Sequence, residues 1–216
     1  MLEKSDALNL VAEEIAVCQA CPLHLERKNT VPGTGSADSD LMFIGEGPGY
    51  YENEQGLPFV GASGKFLTHL IEKAGFERKE VFITNVVKCR PPNNRDPQVE
   101  ELKACADYLE RQIDIIDPEV IVTLGRFSMA KYFEGVRISK IHGKAGWRDG
   151  RLIVPMYHPA AALHNPRLRP VVEADFAKLP ALIEYSRQKK AEMAKSMHVD
   201  NPAAAEDDDA VQLALF

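Results

Sequence analysis

Short, near-continuous apolar runs alternate along this chain with longer segments of helical spacing. Leu41–Gly45 (LMFIG), Glu80–Val87 (EVFITNVV), Glu119–Leu124 (EVIVTL) and Arg151–Met156 (RLIVPM) read as buried strands, because they are brief, apolar and rich in β-branched residues. Asp6–Val17 places Leu8, Val11, Ala12 and Ile15 on one face of a helix. Ser63–Ala74 does the same with Phe66, Leu67, Leu70 and Ile71, and Gly75 stops it. Gln98–Ile116 reads as a long helix, Arg126–Phe133 as a short one, and Arg169–Lys195 as a last helix interrupted near Pro180. Strands that alternate with helices, each strand apolar throughout, predict an α/β fold whose parallel sheet is covered on both faces.

In such sheets ligands bind beyond the carboxyl ends of the strands. The segments that follow the four strands read GEGPG, TNVVKC, GRFS and YHPAA. Three of them bring a side chain suited to chemistry: Glu46, Asn85 and His158. The loop from Gly45 to Gly61 (GEGPGYYENEQGLPFVG) is longer than a connection needs, as functional loops often are. Its end, Phe59–Lys65, is not a nucleotide-binding P-loop, since Phe59 replaces the first Gly and Phe66 the Ser or Thr. A helix starting near Ser63 still turns free N–H groups toward a single backbone phosphate.

Composition narrows the class. Of the 216 residues, 45% are hydrophobic and 27% charged, as in a soluble globular protein. No run is long enough to span a membrane and the N-terminus lacks a signal-peptide pattern, so a cytoplasmic protein is expected. The net charge is −6, but the five acids of Val199–Phe216 account for all but one of those charges. Arg137–Arg151 carries five basic residues against Asp149, a patch suited to a phosphate backbone. In the cytosol four cysteines point to core thiols or metal ligands rather than disulfides. Cys18-x2-Cys21 with Cys89 and Cys105 reads as one four-thiolate site, and spacing alone leaves zinc and an iron–sulfur cluster both open.

Together GEGPGYYENEQGLPFVG, TNVVKCRPP, YHPAAALHNPRLRP and the four cysteines resemble the family 4 uracil-DNA glycosylases, over roughly Ala7–Tyr185. The resemblance implies a three-layer αβα fold with a central four-stranded parallel sheet. It implies a structural [4Fe-4S] cluster on Cys18, Cys21, Cys89 and Cys105. It implies a monofunctional hydrolase of base-excision repair that flips uracil out of DNA, because the glycosidic bond is inaccessible inside the stack. On that pattern Phe59 stacks on the uracil and Asn85 reads its edge with one donor and one acceptor. Gly45 and Gly47 admit close approach of backbone to base and sugar, as does Gly49. Glu46, with Glu52 as the alternative, positions water or stabilises the sugar cation, and His158 donates to the uracil oxygen that gains charge. Leu163 is the candidate wedge that fills the vacated stack, and Ser63 and Arg167, with Arg169, contact the DNA.

One departure is Tyr50-Tyr51, where small or acidic residues are expected; two aromatics there narrow the pocket or touch DNA. A uracil-trapping relative carries a His-containing loop after the second motif, whereas KCRPPNNRDPQVEEL has no His, which implies turnover rather than permanent trapping. The chain is expected to fold as a monomeric glycosylase domain over residues 1–195, followed by a disordered acidic tail over 196–216. The tail ends in Gln212–Phe216 (QLALF), which resembles the short peptide that docks bacterial repair proteins to the sliding clamp.

Overall fold

The computed structural model describes residues 2–199, with side chains through residue 196. The clamp-like peptide Gln212–Phe216 and most of the acidic tail lie outside the described residues. In chain order the elements are α1 (Lys4–Val17), β1 (Thr34–Gly35), β2 (Leu41–Gly45), α2 (Tyr50–Gln55), α3 (Ala62–Lys73), β3 (Phe82–Asn85) and α4 (Val99–Ile116). There follow β4 (Val120–Leu124), α5 (Arg126–Ala130), α6 (Ile138–Ile141), β5 (Gly146–Arg148), β6 (Arg151–Met156), α7 (Pro159–His164), α8 (Arg169–Phe176) and α9 (Leu179–Val199).

The sheet runs β1-β3-β2-β4-β6-β5. Its four central strands are parallel, as the apolar runs predict. The expected four-stranded sheet is extended at each edge by a short antiparallel strand, β1 on β3 and β5 on β6. Neither edge strand has the length or apolar content that marks a strand in sequence, so both escape a periodicity reading.

Alternate residues of each central strand feed two different cores, which is why the runs are apolar without a break. Leu41, Phe43, Ile83, Val122 and Val154 pack against Phe66, Leu67, Leu70 and Ile71 of α3 and against Val172, Phe176, Leu179 and Leu182 of α8 and α9. Met42, Ile44, Phe82, Ile121 and Ile153 pack on the other face against Leu109, Ile113 and Ile116 of α4. Helices on both faces of one sheet make the three-layer αβα arrangement.

Local chemistry sets the helix ends. Gln98 and Glu101 form a reciprocal capping box at the start of α4. Buried Glu101 also receives both arms of Arg95, at 2.6 and 2.8 Å, which ties down the loop after β3. The predicted last helix breaks at Ala177–Lys178 rather than at Pro180 itself. Pro180 sits in the first turn of α9, where its missing N–H costs no intrahelical bond. The helices α2 and α7 fall inside segments read from sequence as loops, because each is only six residues long.

Phe43 sits at the centre of the larger core and is fully buried, its ring stacked on Phe176 at 5.7 Å and 10°. Phe43→Ala is expected to destabilise the fold by about 3–5 kcal/mol, through lost apolar burial and a cavity that stiff neighbours cannot fill. Urea unfolding followed by circular dichroism checks this value.

Candidate active site

Parallel pairing sets the strand ends side by side. Gly45 at the end of β2 lies opposite Asn85 at the end of β3, and Leu124 of β4 lies opposite Met156 of β6. A cleft of about 500 Å³ opens above these ends. Glu46 enters it from the segment after β2, Asn85 from the tip of β3 and His158 from the segment after β6. The fourth strand end contributes no lining residue; its Arg126 pairs instead with Asp96.

Phe59 holds an unusual backbone. Its φ is +52°, a left-handed conformation that a bulky residue adopts only under constraint. The constraint is Glu52, whose Oε1 accepts hydrogen bonds from the amides of Val60 at 2.9 Å and Gly61 at 3.0 Å. A side chain at Gly64 would lie 1.9 Å from the Phe59 carbonyl oxygen, so the first turn of α3 closes onto this bend only because position 64 is glycine. The Phe59 ring then reaches the floor of the cleft. A Cβ on Gly45 would stand 2.7 Å from Phe59 Cζ and 2.4 Å from Asn85 Oδ1. Both side chains converge where Gly45 leaves room.

Asn85 is 2% exposed, and its Oδ1 is buried without a hydrogen-bond partner. An orphaned buried acceptor is costly unless a ligand satisfies it. His158 lines the same cleft, its ring 5.5 Å from that of Phe59 and inclined by 27°. His158 Nδ1 accepts a hydrogen bond from the Ala160 amide at 3.1 Å. In the neutral ring the proton therefore sits on Nε2, which is a donor. Burial pushes the His158 imidazole down to about 4, with Glu52 opposing, so the ring is neutral near pH 7. Burial pushes the Glu46 carboxyl up, Asp96 adds to the rise, and Arg126 opposes it.

Ser63, in the first turn of α3, lines the cleft, as do Gly47, Gly49 and Glu52. Leu163 is 47% exposed on α7, next to the lining residue His164. Arg167 is exposed in the turn that follows. Tyr50 and Tyr51 do not narrow the cleft; both are exposed on α2 in edge-to-face contact, with the Arg90 guanidinium 5.3 Å from the Tyr50 ring centre. The basic stretch Arg137–Arg151 is partly committed inward. Arg148 lies over the Phe133 ring and bonds the carbonyl of Trp147, and Arg151 pairs with Asp114. Pro91, Asn94, Arg95 and His164 line the cleft without having been singled out from sequence. The signal for the first three is the polar, proline-rich segment RPPNNRDP directly after a strand end.

A second constellation lies further along the chain from the carboxyl end of β3. Cys18 ends α1, Cys21 opens the turn Pro22–His24, Cys89 follows β3 and Cys105 sits in α4. All four line one cavity with Arg27, Lys88 and Tyr108. Burial raises the Cys89 and Cys105 thiols, the latter to about 11. Neighbouring cysteines raise both further. Arg27 Nη1 donates to Cys89 Sγ at 3.5 Å and to the Cys18 carbonyl at 2.6 Å. Lys88 Nζ is buried beside them and pushed down to about 7 by burial, with Cys105 opposing. Among the described residues no three Cys, His, Asp or Glu side chains are set to hold a single metal ion. Four cysteines around a common cavity are a donor set of the kind that an iron–sulfur cluster takes.

The family model of the uracil DNA glycosylase superfamily matches residues 32–179. Curated proteins named type-4 uracil-DNA glycosylase match most of the chain. That of Sulfurisphaera tokodaii is 50% identical over 82% of this chain and 85% of its own length. That of Archaeoglobus fulgidus is 45% identical, over 82% of this chain and 94% of its own. That of Thermotoga maritima is 43% identical, over 85% and 98%. The matched span of the superfamily model runs from before β1 to the start of α9 and takes in every lining residue of the cleft. The chain therefore belongs to the uracil-DNA glycosylase superfamily, among its type-4 members.

Proposed function

We propose that the chain hydrolyses the N-glycosidic bond of uracil in DNA and leaves an abasic site. The observation that carries the residue assignment is the unpartnered Oδ1 of Asn85, set at the cleft floor beside the Phe59 ring. Uracil offers an imide N–H to that oxygen, and its adjacent carbonyl accepts from the Asn85 amide. Cytosine presents an acceptor nitrogen and an amine there, the wrong order of polarity, and leaves the site unpaired. The base must leave the stack to reach this depth, and exposed Leu163 at the rim fills the gap it leaves.

As the bond between N1 and the sugar breaks, its electron pair passes to the uracil ring and its O2. The His158 Nε2–H donates to that oxygen. A neutral donor suffices, since it stabilises charge without having to surrender a proton. The ionised Glu46 faces the cationic sugar and orients the attacking water, whose oxygen forms the new bond to C1′ and whose proton is released. Glu52 acts by position, since its carboxylate oxygen is spent on the Val60 and Gly61 amides that hold Phe59 in place. Ser63 and Arg167 face the phosphate backbone.

Cys18, Cys21, Cys89 and Cys105 would hold a [4Fe-4S] cluster. When bound, it supplies a rigid cross-link between the end of α1, the segment after β3 and the middle of α4.

A labelled oligonucleotide with one uracil, treated with the protein and then with hot alkali, is expected to break at uracil alone. His158→Ala is expected to lower kcat by about 10²–10³, the usual cost of one such donor, and Asn85→Ala to abolish discrimination by the pocket. An intact strand with folded wild-type protein overturns the reading. The pH profile of kcat/KM is expected to lose activity toward acid as Glu46 protonates, at a pH above the ordinary carboxylate range, since its carboxyl is raised. His158, with its pKa near 4, stays neutral across that limb, so Glu46→Gln removes the limb while His158→Ala leaves its position unchanged. Purified without chelators, the protein is expected to be brown, and Cys105→Ala to lose the visible absorption. A colourless protein containing zinc would reject the cluster.

A further inference from the structure

We propose that Lys88 is the interior counter-cation of the four-cysteine centre and positions Asn85, so that one ammonium ties the cluster to the side chain that reads uracil. This rests on the cluster and on the uracil-reading role proposed above.

Lys88 is 1% exposed, among the largest fully buried side chains of the protein. Its Nζ donates to Thr84 Oγ1 at 2.6 Å, Gln112 Oε1 at 2.7 Å and the Asn85 carbonyl at 2.9 Å. The polarity of these partners is fixed from behind. Thr84 Oγ1 gives its own proton to the Pro32 carbonyl at 2.8 Å. Gln112 Nε2 donates to the same carbonyl at 2.8 Å, which turns Oε1 toward the lysine. Three acceptors require three protons, so the geometry is that of an ammonium.

All three acceptors are neutral. Among the described residues no Asp or Glu forms an ion pair with Lys88. A buried charge without a counter-charge is strongly unfavourable. Lys88 lines the same cavity as Cys18, Cys21, Cys89 and Cys105. Four thiolates leave a [4Fe-4S] centre with net negative charge, the partner that the buried ammonium otherwise lacks. Arg27 also lines the cavity, held by the carbonyls of Ala16 and Cys18, and among the described residues it shows no bond to β3.

The second half of the proposal follows from the Asn85 carbonyl. That oxygen belongs to the last residue of β3, where the chain leaves the sheet. Beyond it, the Val86 and Val87 amides still bond the carbonyls of Gly45 and Glu46, at 3.1 and 3.2 Å. The ammonium thus pins the backbone of the residue whose side-chain Oδ1 is left unpartnered at the cleft. Removing the charge releases both ends of that link.

The test compares wild type, Lys88→Met and Gln112→Glu, all purified anaerobically. The methionine keeps the length and loses the charge. The glutamate keeps the lysine but gives it a carboxylate partner in place, and serves if Lys88→Met does not fold. Three quantities are read: the midpoint potential of the cluster by spectroscopic titration, its bleaching rate in air, and inhibition by free uracil. In both variants the potential is expected to fall and bleaching to quicken. In Lys88→Met, inhibition by free uracil is expected to weaken about tenfold, the effect of one lost positioning hydrogen bond. An unchanged potential and bleaching rate in the variants overturns the counter-cation, and unchanged uracil inhibition overturns the link to Asn85. A brown, active wild type beside such variants overturns this proposal alone. A colourless wild type overturns the cluster reading and this proposal with it.

Discussion

The opposition of Gly45 and Asn85 across two parallel strands is the constraint on which the cleft depends. Parallel register places the two strand ends level. The missing side chain on Gly45 then decides what fits between them, since a single methyl would collide with both Phe59 and Asn85. The rest of the loop serves that convergence. Glu52 holds the left-handed bend at Phe59 through two amides, and Gly64 lets α3 close behind it. A strained residue persists because its neighbours over-determine it.

Burial acts on two basic groups near the carboxyl ends of the strands, His158 after β6 and Lys88 after β3. At the cleft it keeps His158 uncharged, with its one donor on Nε2. After β3, it encloses a lysine whose three protons are all engaged. In the first place low polarity removes a charge from the ground state of the site. In the second it opposes a charge that three hydrogen-bond acceptors hold in place. Both effects come from the same feature, a sheet so fully covered that the polar groups at its strand ends have few partners to choose among.

How much of this was legible in the sequence depends on range. The four parallel strands and the helices α1, α3 and α4 announce themselves through apolar spacing, which is a local property. Glu46, Asn85 and His158 were recognisable because a parallel sheet gathers strand ends, so topology alone predicts their meeting. The cysteine spacing marked a four-thiolate site, and the family pattern supplied the expected role of Phe59 and the expectation of an iron–sulfur cluster there. What stayed hidden is non-local or short. The bonds from Glu52 to Val60 and Gly61 depend on a six-residue helix that no periodicity reveals. Tyr50 and Tyr51 turned outward because that same helix rotates them away from Glu52. The inward commitment of Arg148 depends on Phe133, fifteen residues distant, and on no pattern of charge.

The two antiparallel strands at the margins carry a consequence of their own. β1 spans two residues and β5 three. A parallel sheet with apolar residues on both faces would expose at each border a row of unpaired amides and carbonyls, a template for a strand from another molecule. Capping each border with so short a strand leaves little length to template on. The working end is thus built from hydrophobic strands whose borders offer little backbone for another chain to pair with.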